Sequence, residues 1–275
     1  MKVKQVIRKR LALLLSIVCA LSIWMMIRQT ADKAVAANSY DDARLLAENT
    51  DTVQETQETQ VQETEPKTRT VWVIAPVKDD PEIELLKEID LDALRQVNPD
   101  VIGWIRIPQT QIDYPIMQGT DNDYYLDHTW DHKSNAVGSI YMEYRNSPEF
   151  FDYNTLIYGH NMKGGSMFAQ LRNYSEQQFF EEHPYVYIVT DGGILRYEIF
   201  SSYKAPVDSA AYKLSFQQAQ TRKDFLAYVL ESSVIESNIE PGIRDRILTL
   251  STCSAAGYTT RWVVHARLRM VQQEI

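Results

Sequence analysis

Three side chains in the C-terminal half could do covalent chemistry together. Cys253 ends the apolar run RILTLSTC (246–253) and is followed by the small-residue stretch Ser254-Ala255-Ala256-Gly257. His160 ends TLIYGH (155–160) and precedes Asn161-Met162-Lys163-Gly164-Gly165. Arg261 stands eight positions after Cys253, near the start of TRWVVHARLRM (260–270). A strand end giving way to a loop holds a reactive group on a rigid support. A thiolate attacks a peptide carbonyl, an imidazole supplies the proton that the leaving amine needs, and a guanidinium stabilises the oxyanion between them. Each residue also has a plain reading. Cys253 could be a buried thiol, Arg261 a surface cation like Arg267 and Arg269, and His128, His132, His183 and His265 are rival imidazoles.

The second cysteine, Cys19, lies in an apolar run near the N-terminus, so the folded region has neither a disulfide framework nor a CxxC metal site. A lone thiol kept outside the cell is exposed to oxidation, which asks for a chemical reason. The net charge of -9 excludes a general nucleic-acid binder, which needs a basic face. The order His160 then Cys253 is the reverse of papain-like enzymes, and the QAC signature of caspases is missing.

These residues must be carried to where they act. Residues 1–10, MKVKQVIRKR, are basic, and residues 11–27, LALLLSIVCALSIWMMI, are an unbroken apolar run. A spanning helix takes about 17–25 apolar residues, and the basic flank keeps the N-terminus in the cytoplasm with the rest outside. Ala34-Val35-Ala36 also fits a signal cleavage site. A signal core is usually about 7–15 residues, so length favours an uncleaved anchor, and both readings export the chain. Cys19 is then an apolar residue of the span. Residues 28–70 are expected to form a disordered acidic and Gln-rich stalk, typified by TVQETQETQVQETEP at 52–66. The catalytic domain is expected over 71–275, and a chain beginning near residue 71 is expected to fold alone.

Within that domain, residues 82–97 place Ile83, Leu85, Leu86, Ile89, Leu94 and Val97 near helical spacing, bounded by Pro81 and by Asn98-Pro99. Eight runs rich in β-branched and aromatic residues follow, at 101–107, 113–118, 139–144, 155–160, 185–190, 194–204, 246–253 and 260–270. Their spacing predicts a mainly β barrel or sandwich. Residues 167–174, 175–183 and 216–232 read as helices between them.

TLSTC at 249–253, with Arg261 after it and YGHNM at 158–162 before it, resembles the sortases, whose nucleophile strand carries a TLxTC signature. GWIRIP, DYPIMQG, QGTDNDYYLDH, GSIYMEYRN and MFAQLRNY resemble class B sequence, as do the N-terminal helices and the long helix before the last strands. The likeness runs over residues 81–270 in fixed order, which is far more specific than any one motif.

The resemblance implies an eight-stranded sortase-like β-barrel with peripheral helices and a cysteine transpeptidase. Cys253 would be nucleophile, His160 acid and base, and Arg261 the cation beside the oxyanion. The substrate class implied is the C-terminal sorting signal of secreted proteins, NPxTx-like. It would be cleaved through a thioester and passed to an amine such as that of a peptidoglycan precursor. Asn122 and Leu126 in NDYYL, Tyr212 in YKLSF and Ser251 resemble positions lining the sorting-signal groove. Leu126 could instead pack in the core, and Asn122 could cap a helix. Ser254 departs from class B members that have an acidic residue there. No cofactor is implied, and no acidic cluster suggests a calcium site. A sorting-signal hydrolase and a non-catalytic surface module are the alternatives on the same barrel.

Overall fold

The computed structural model describes residues 2–48, 80–253 and 259–272. Helix α1 (Lys2–Glu48) is followed by α2 (Pro81–Leu86) and α3 (Leu91–Val97). The first strands are β1 (Val101–Arg106), β2 (Asp113–Met117), β3 (Ile140–Met142) and β4 (Asn154–His160). After α4 (Gln177–Glu182) come β5 (Tyr185–Thr190), β6 (Gly193–Pro206), α5 (Ala219–Glu231), β7 (Ile247–Cys253) and β8 (Thr260–Gln272). All eight expected strands form.

They close into a barrel in the order β1-β2-β3-β4-β7-β8-β6-β5, which removes every sheet edge. Two pairings are parallel, β2 with β3 and β4 with β7. The second matters most. Parallel strands end on the same side and need a long crossover; here everything from residue 161 to 246 supplies it. Strands β4 and β7 therefore bring His160 and Cys253 to one rim as register partners. Strand β8 runs antiparallel to β7 and so starts at that same rim.

By register Ile105, Ile116 and Ile188 share one face of the sheet, as do Ile157 and Leu250, and none of the five is exposed. A second apolar cluster joins Phe225 and Val229 of α5 to Phe200, Tyr203 and Val263 on the outside of the barrel. Gly159 shows how tight the packing is beside His160. A methyl group there would stand 2.4 Å from Ile140 Cδ1 and 2.7 Å from Phe168 Cγ.

Three sequence expectations change. The helix expected over 82–97 is two helices. Asp90 accepts from the Ala93 amide and starts α3 afresh, as Asp80 caps α2 through Glu82. The helix expected at 167–174 is a tighter 3-10 turn over Ala169–Ser175. The stalk expected from residue 28 is helical through Glu48, and Ala36, Tyr40, Ala43 and Ala47 are buried in the main core. Their spacing draws one stripe along α1. Three of the four are alanines, too small to mark a face by hydropathy. Residues 49–70 of the expected stalk lie outside the described residues.

Helix α1 contains the expected membrane span. Among the described residues no helix is long and apolar enough to cross a membrane. The expected span starts at residue 11, and the side chains of 11–14 and 16 lie outside the described set.

Candidate active site

The rim holds the site. His160 and Cys253 are partners in the parallel β4–β7 ladder. Strands β7 and β8 pair up to Ser251 opposite Val263, and the next residues are Thr252–Cys253 on one strand and Trp262–Arg261 on the other. The Trp262 amide donates to Thr252 Oγ1 at 3.0 Å and keeps the two strand ends together beyond the ladder.

His160 is half-buried, and its Nε2 lies 2.6 Å from the main-chain oxygen of Leu126. A carbonyl oxygen can only accept, so Nε2 carries a proton in this contact and Nδ1 is left to exchange one. The loop from β2 to β3 thus fixes the tautomer of the imidazole by a backbone atom, which no side-chain motif reveals.

The other imidazoles sit differently. His265 is fully buried between Thr249 Oγ1 at 2.9 Å and Tyr203 Oη at 3.1 Å, and burial pushes its pKa down to about 3. It is a neutral core histidine. His183 is buried, with Nδ1 3.0 Å from the Pro108 carbonyl oxygen. His128 and His132 surround the exposed Tyr124, His128 stacked on it at 4.1 Å.

Beside the rim lies a cavity of about 320 Å³. Asn122, Leu126, Glu143, Tyr158, Tyr212 and Arg261 line it. Three of the four groove residues expected from sequence, Asn122, Leu126 and Tyr212, therefore meet Arg261 around one space. Ser251 has no exposed surface and touches the groove through Tyr212, whose Oη lies 3.0 Å from Ser251 Oγ. Leu126 both lines the cavity and packs on the core. Asn122 caps no helix; Asp121 accepts from the amides at the start of that turn instead.

Glu143 was not legible as a site residue. It is 1 % exposed, yet it lines the cavity. Its Oε2 accepts from Asn122 Nδ2 at 2.7 Å and its Oε1 from Arg145 Nε at 2.6 Å. Burial alone would raise its pKa, but hydrogen bonds from Arg145 and Asn122 outweigh this and hold it below the usual carboxylate range. It stays charged, so an anion and the Arg261 cation line one groove. A lone acidic residue inside the run SIYMEY was the available signal.

Asn154 was also missed. It is fully buried at the start of β4, where its Nδ2 donates to the carbonyls of Ala211 at 3.3 Å and Lys213 at 3.0 Å. Its Oδ1 accepts from Thr249 Oγ1 at 2.6 Å. One amide thus clamps the chain on both sides of Tyr212. Among the described residues no group of three or more His, Cys, Asp or Glu could hold a metal ion.

A closed barrel that pairs a cysteine with a tautomer-fixed imidazole at one rim, beside a groove lined by both charges, defines a thiol enzyme acting on peptides. Known proteins agree. The family model described as "Sortase domain" matches residues 105–269. Sortase B of Listeria monocytogenes is 44 % identical over 167 residues, 60 % of this chain and 67 % of that protein. The structure titled as a Staphylococcus aureus sortase B-substrate complex superposes with TM-score 0.65 at 32 % identity, covering 68 % of this chain and 87 % of that one. A sortase B structure from Bacillus anthracis superposes with TM-score 0.69 at 30 % identity, covering 88 % and 99 % of the two chains. The chain belongs to the sortase family and is a sortase-type cysteine transpeptidase of class B.

Proposed function

We propose that this enzyme cleaves an NPxTx-like C-terminal sorting signal of secreted proteins through a thioester at Cys253 and passes the acyl group to an amine of a cell-wall precursor. The observation that carries the reading is the β4–β7 register, which pairs His160 with Cys253. The Cys253 thiolate adds to the carbonyl carbon of the signal's threonine, and the negative charge on oxygen falls beside Arg261. His160 takes the Cys253 thiol proton on Nδ1 and passes it to the departing amine while Nε2 keeps its bond to Leu126. An incoming amine then adds to the thioester, His160 takes its proton, and the thiolate leaves as the new amide forms. The groove residues Asn122, Leu126 and Tyr212 bind the signal, Tyr212 being held by Ser251. That the similar Staphylococcus aureus sortase B is known as a complex with substrate supports a substrate of the same class here.

The enzyme acts outside the cell, anchored by the span 11–27 at a Gram-positive type surface. Leu15, Val18, Leu21, Trp24 and Met26 of α1 present their apolar side chains outward, which suits lipid better than water. Product analysis tests the transfer step. The full chain in detergent micelles should turn a sorting-signal peptide plus an amine chiefly into the new amide. Free acid alone, at saturating amine, would instead assign the protein to the hydrolases.

A further inference from the structure

Helix α1 does more than lead to the barrel. Three hydrogen bonds tie its C-terminal half to the loop between β2 and β3. Asn135 Nδ2 donates to the carbonyl of Asp32 at 2.8 Å, and Trp130 Nε1 donates to that of Ser39 at 2.8 Å. Tyr40 Oη donates to the carbonyl of Gly138 at 2.6 Å. That loop also supplies the Leu126 oxygen that holds His160 Nε2. The two ends of the relay meet at Gly138, which has φ +61° and lies against the oxygens of Tyr125 and Leu126 and against the His160 ring. The Ser139 amide donates to the Tyr125 oxygen at 2.9 Å, so the strand entry and the Leu126 turn move together.

From this geometry we infer that Tyr40 is a positioning residue for His160: through Gly138 the membrane-proximal helix sets the imidazole that exchanges protons. Burial of the phenol, packed edge-on against Tyr114 at 5.2 Å, holds the hydroxyl in place as a donor to the loop. The same hydroxyl also reaches Ser139 Oγ at 3.3 Å, so its shorter bond to Gly138 and this one hold two adjacent residues at the entry to β3. The inference rests on the role proposed for His160. It adds that a helix 98 residues before Gly138 in sequence belongs to the catalytic apparatus.

Tyr40→Phe keeps the ring and removes the bond, so it tests the relay without emptying the core. In full-length protein in detergent micelles, acylation by a sorting-signal peptide is measured across pH for wild type and variant. Acylation kcat should fall about tenfold, less than the roughly hundredfold that a 1 Å misplacement of a catalytic group costs. KM should stay within about twofold and the pH profile should move, because tautomer control weakens. Nitrogen NMR of the His160 ring gives a readout independent of turnover. The wild type should keep its proton on Nε2, and Tyr40→Phe should populate both tautomers. A variant with wild-type kcat, pH profile and ring shifts overturns the inference, as does a loss of rate that only tracks the unfolded fraction. Wild-type protein that never acylates refutes the proposed function instead, and the ring shifts still decide the relay.

Discussion

Gly138 packs so closely on His160 that a methyl group added to it would stand 3.0 Å from the imidazole Cδ2 and 2.6 Å from the Leu126 oxygen. Its φ of +61° is also one that L side chains rarely adopt. Gly138→Ala must therefore shift either the ring or the carbonyl that fixes its tautomer. Steady-state kinetics should show kcat down by about 10- to 100-fold with a smaller change in KM. Unchanged kcat in a folded variant would show that the imidazole does not depend on this turn.

Glu143 holds Asn122 and Arg145 at the groove wall. Glu143→Gln removes the charge and sets an amide nitrogen against donors that need an acceptor. It should cost about 1–3 kcal/mol of stability by denaturant titration and raise KM for the signal peptide. The charge also makes a pH prediction. The folded carboxyl titrates below its unfolded value, so its contribution is complete above the unfolded pKa and is lost as pH falls through the folded one. KM should rise on acidification in that range, and Glu143→Gln should abolish the rise.

Asn154 spends its whole amide on Ala211, Lys213 and Thr249. Asn154→Ala leaves these buried partners unpaired and releases the segment around Tyr212. Melting temperature should drop and KM should rise while thiol reactivity of Cys253 toward a small alkylating reagent stays close to wild type. A fall in that reactivity matching the loss of turnover would place the defect at the nucleophile instead.

His265 gives the fold an acid-sensitive element away from the chemistry. Its folded pKa is pushed down to about 3 by burial, so the unfolded chain binds a proton that the folded chain refuses. Stability is full above the unfolded value of about 6.5 and falls as pH drops from there toward the folded one, by roughly 2 kcal/mol between pH 7.5 and 5. Chemical denaturation at those two pH values measures it, and His265→Gln should flatten the difference while lowering stability at both.

The contrast between what could and could not be read from sequence has a physical source. The eight strands were legible because β-branched and aromatic runs alternate with turn residues. Cys253, His160 and Arg261 stood out as candidates because their types do chemistry and they lie at the margins of strand runs, and the register then pairs the first two. The rest depends on partners distant in sequence. Leu126 acts through a main-chain oxygen 34 residues before His160, and a carbonyl has no letter of its own. Asn154 looks like one more strand residue until Thr249 and the Tyr212 segment are folded against it. The stripe on α1 was hidden by its alanines, and the break before α3 by an apolar spacing that runs through Asp90 without a gap.

The central claim is a covalent acyl-enzyme at Cys253 formed with the help of His160. Intact mass spectrometry of the full chain with NPxTx-type and LPxTx-type peptides, with and without an amine, tests it most directly. The account predicts a thioester adduct with the NPxTx-type peptide that maps to Cys253, is absent in Cys253→Ala, accumulates far more slowly in His160→Ala, and is discharged to an amide by added amine. Folded protein that gives no adduct with either peptide, or an adduct that persists in Cys253→Ala, would contradict it.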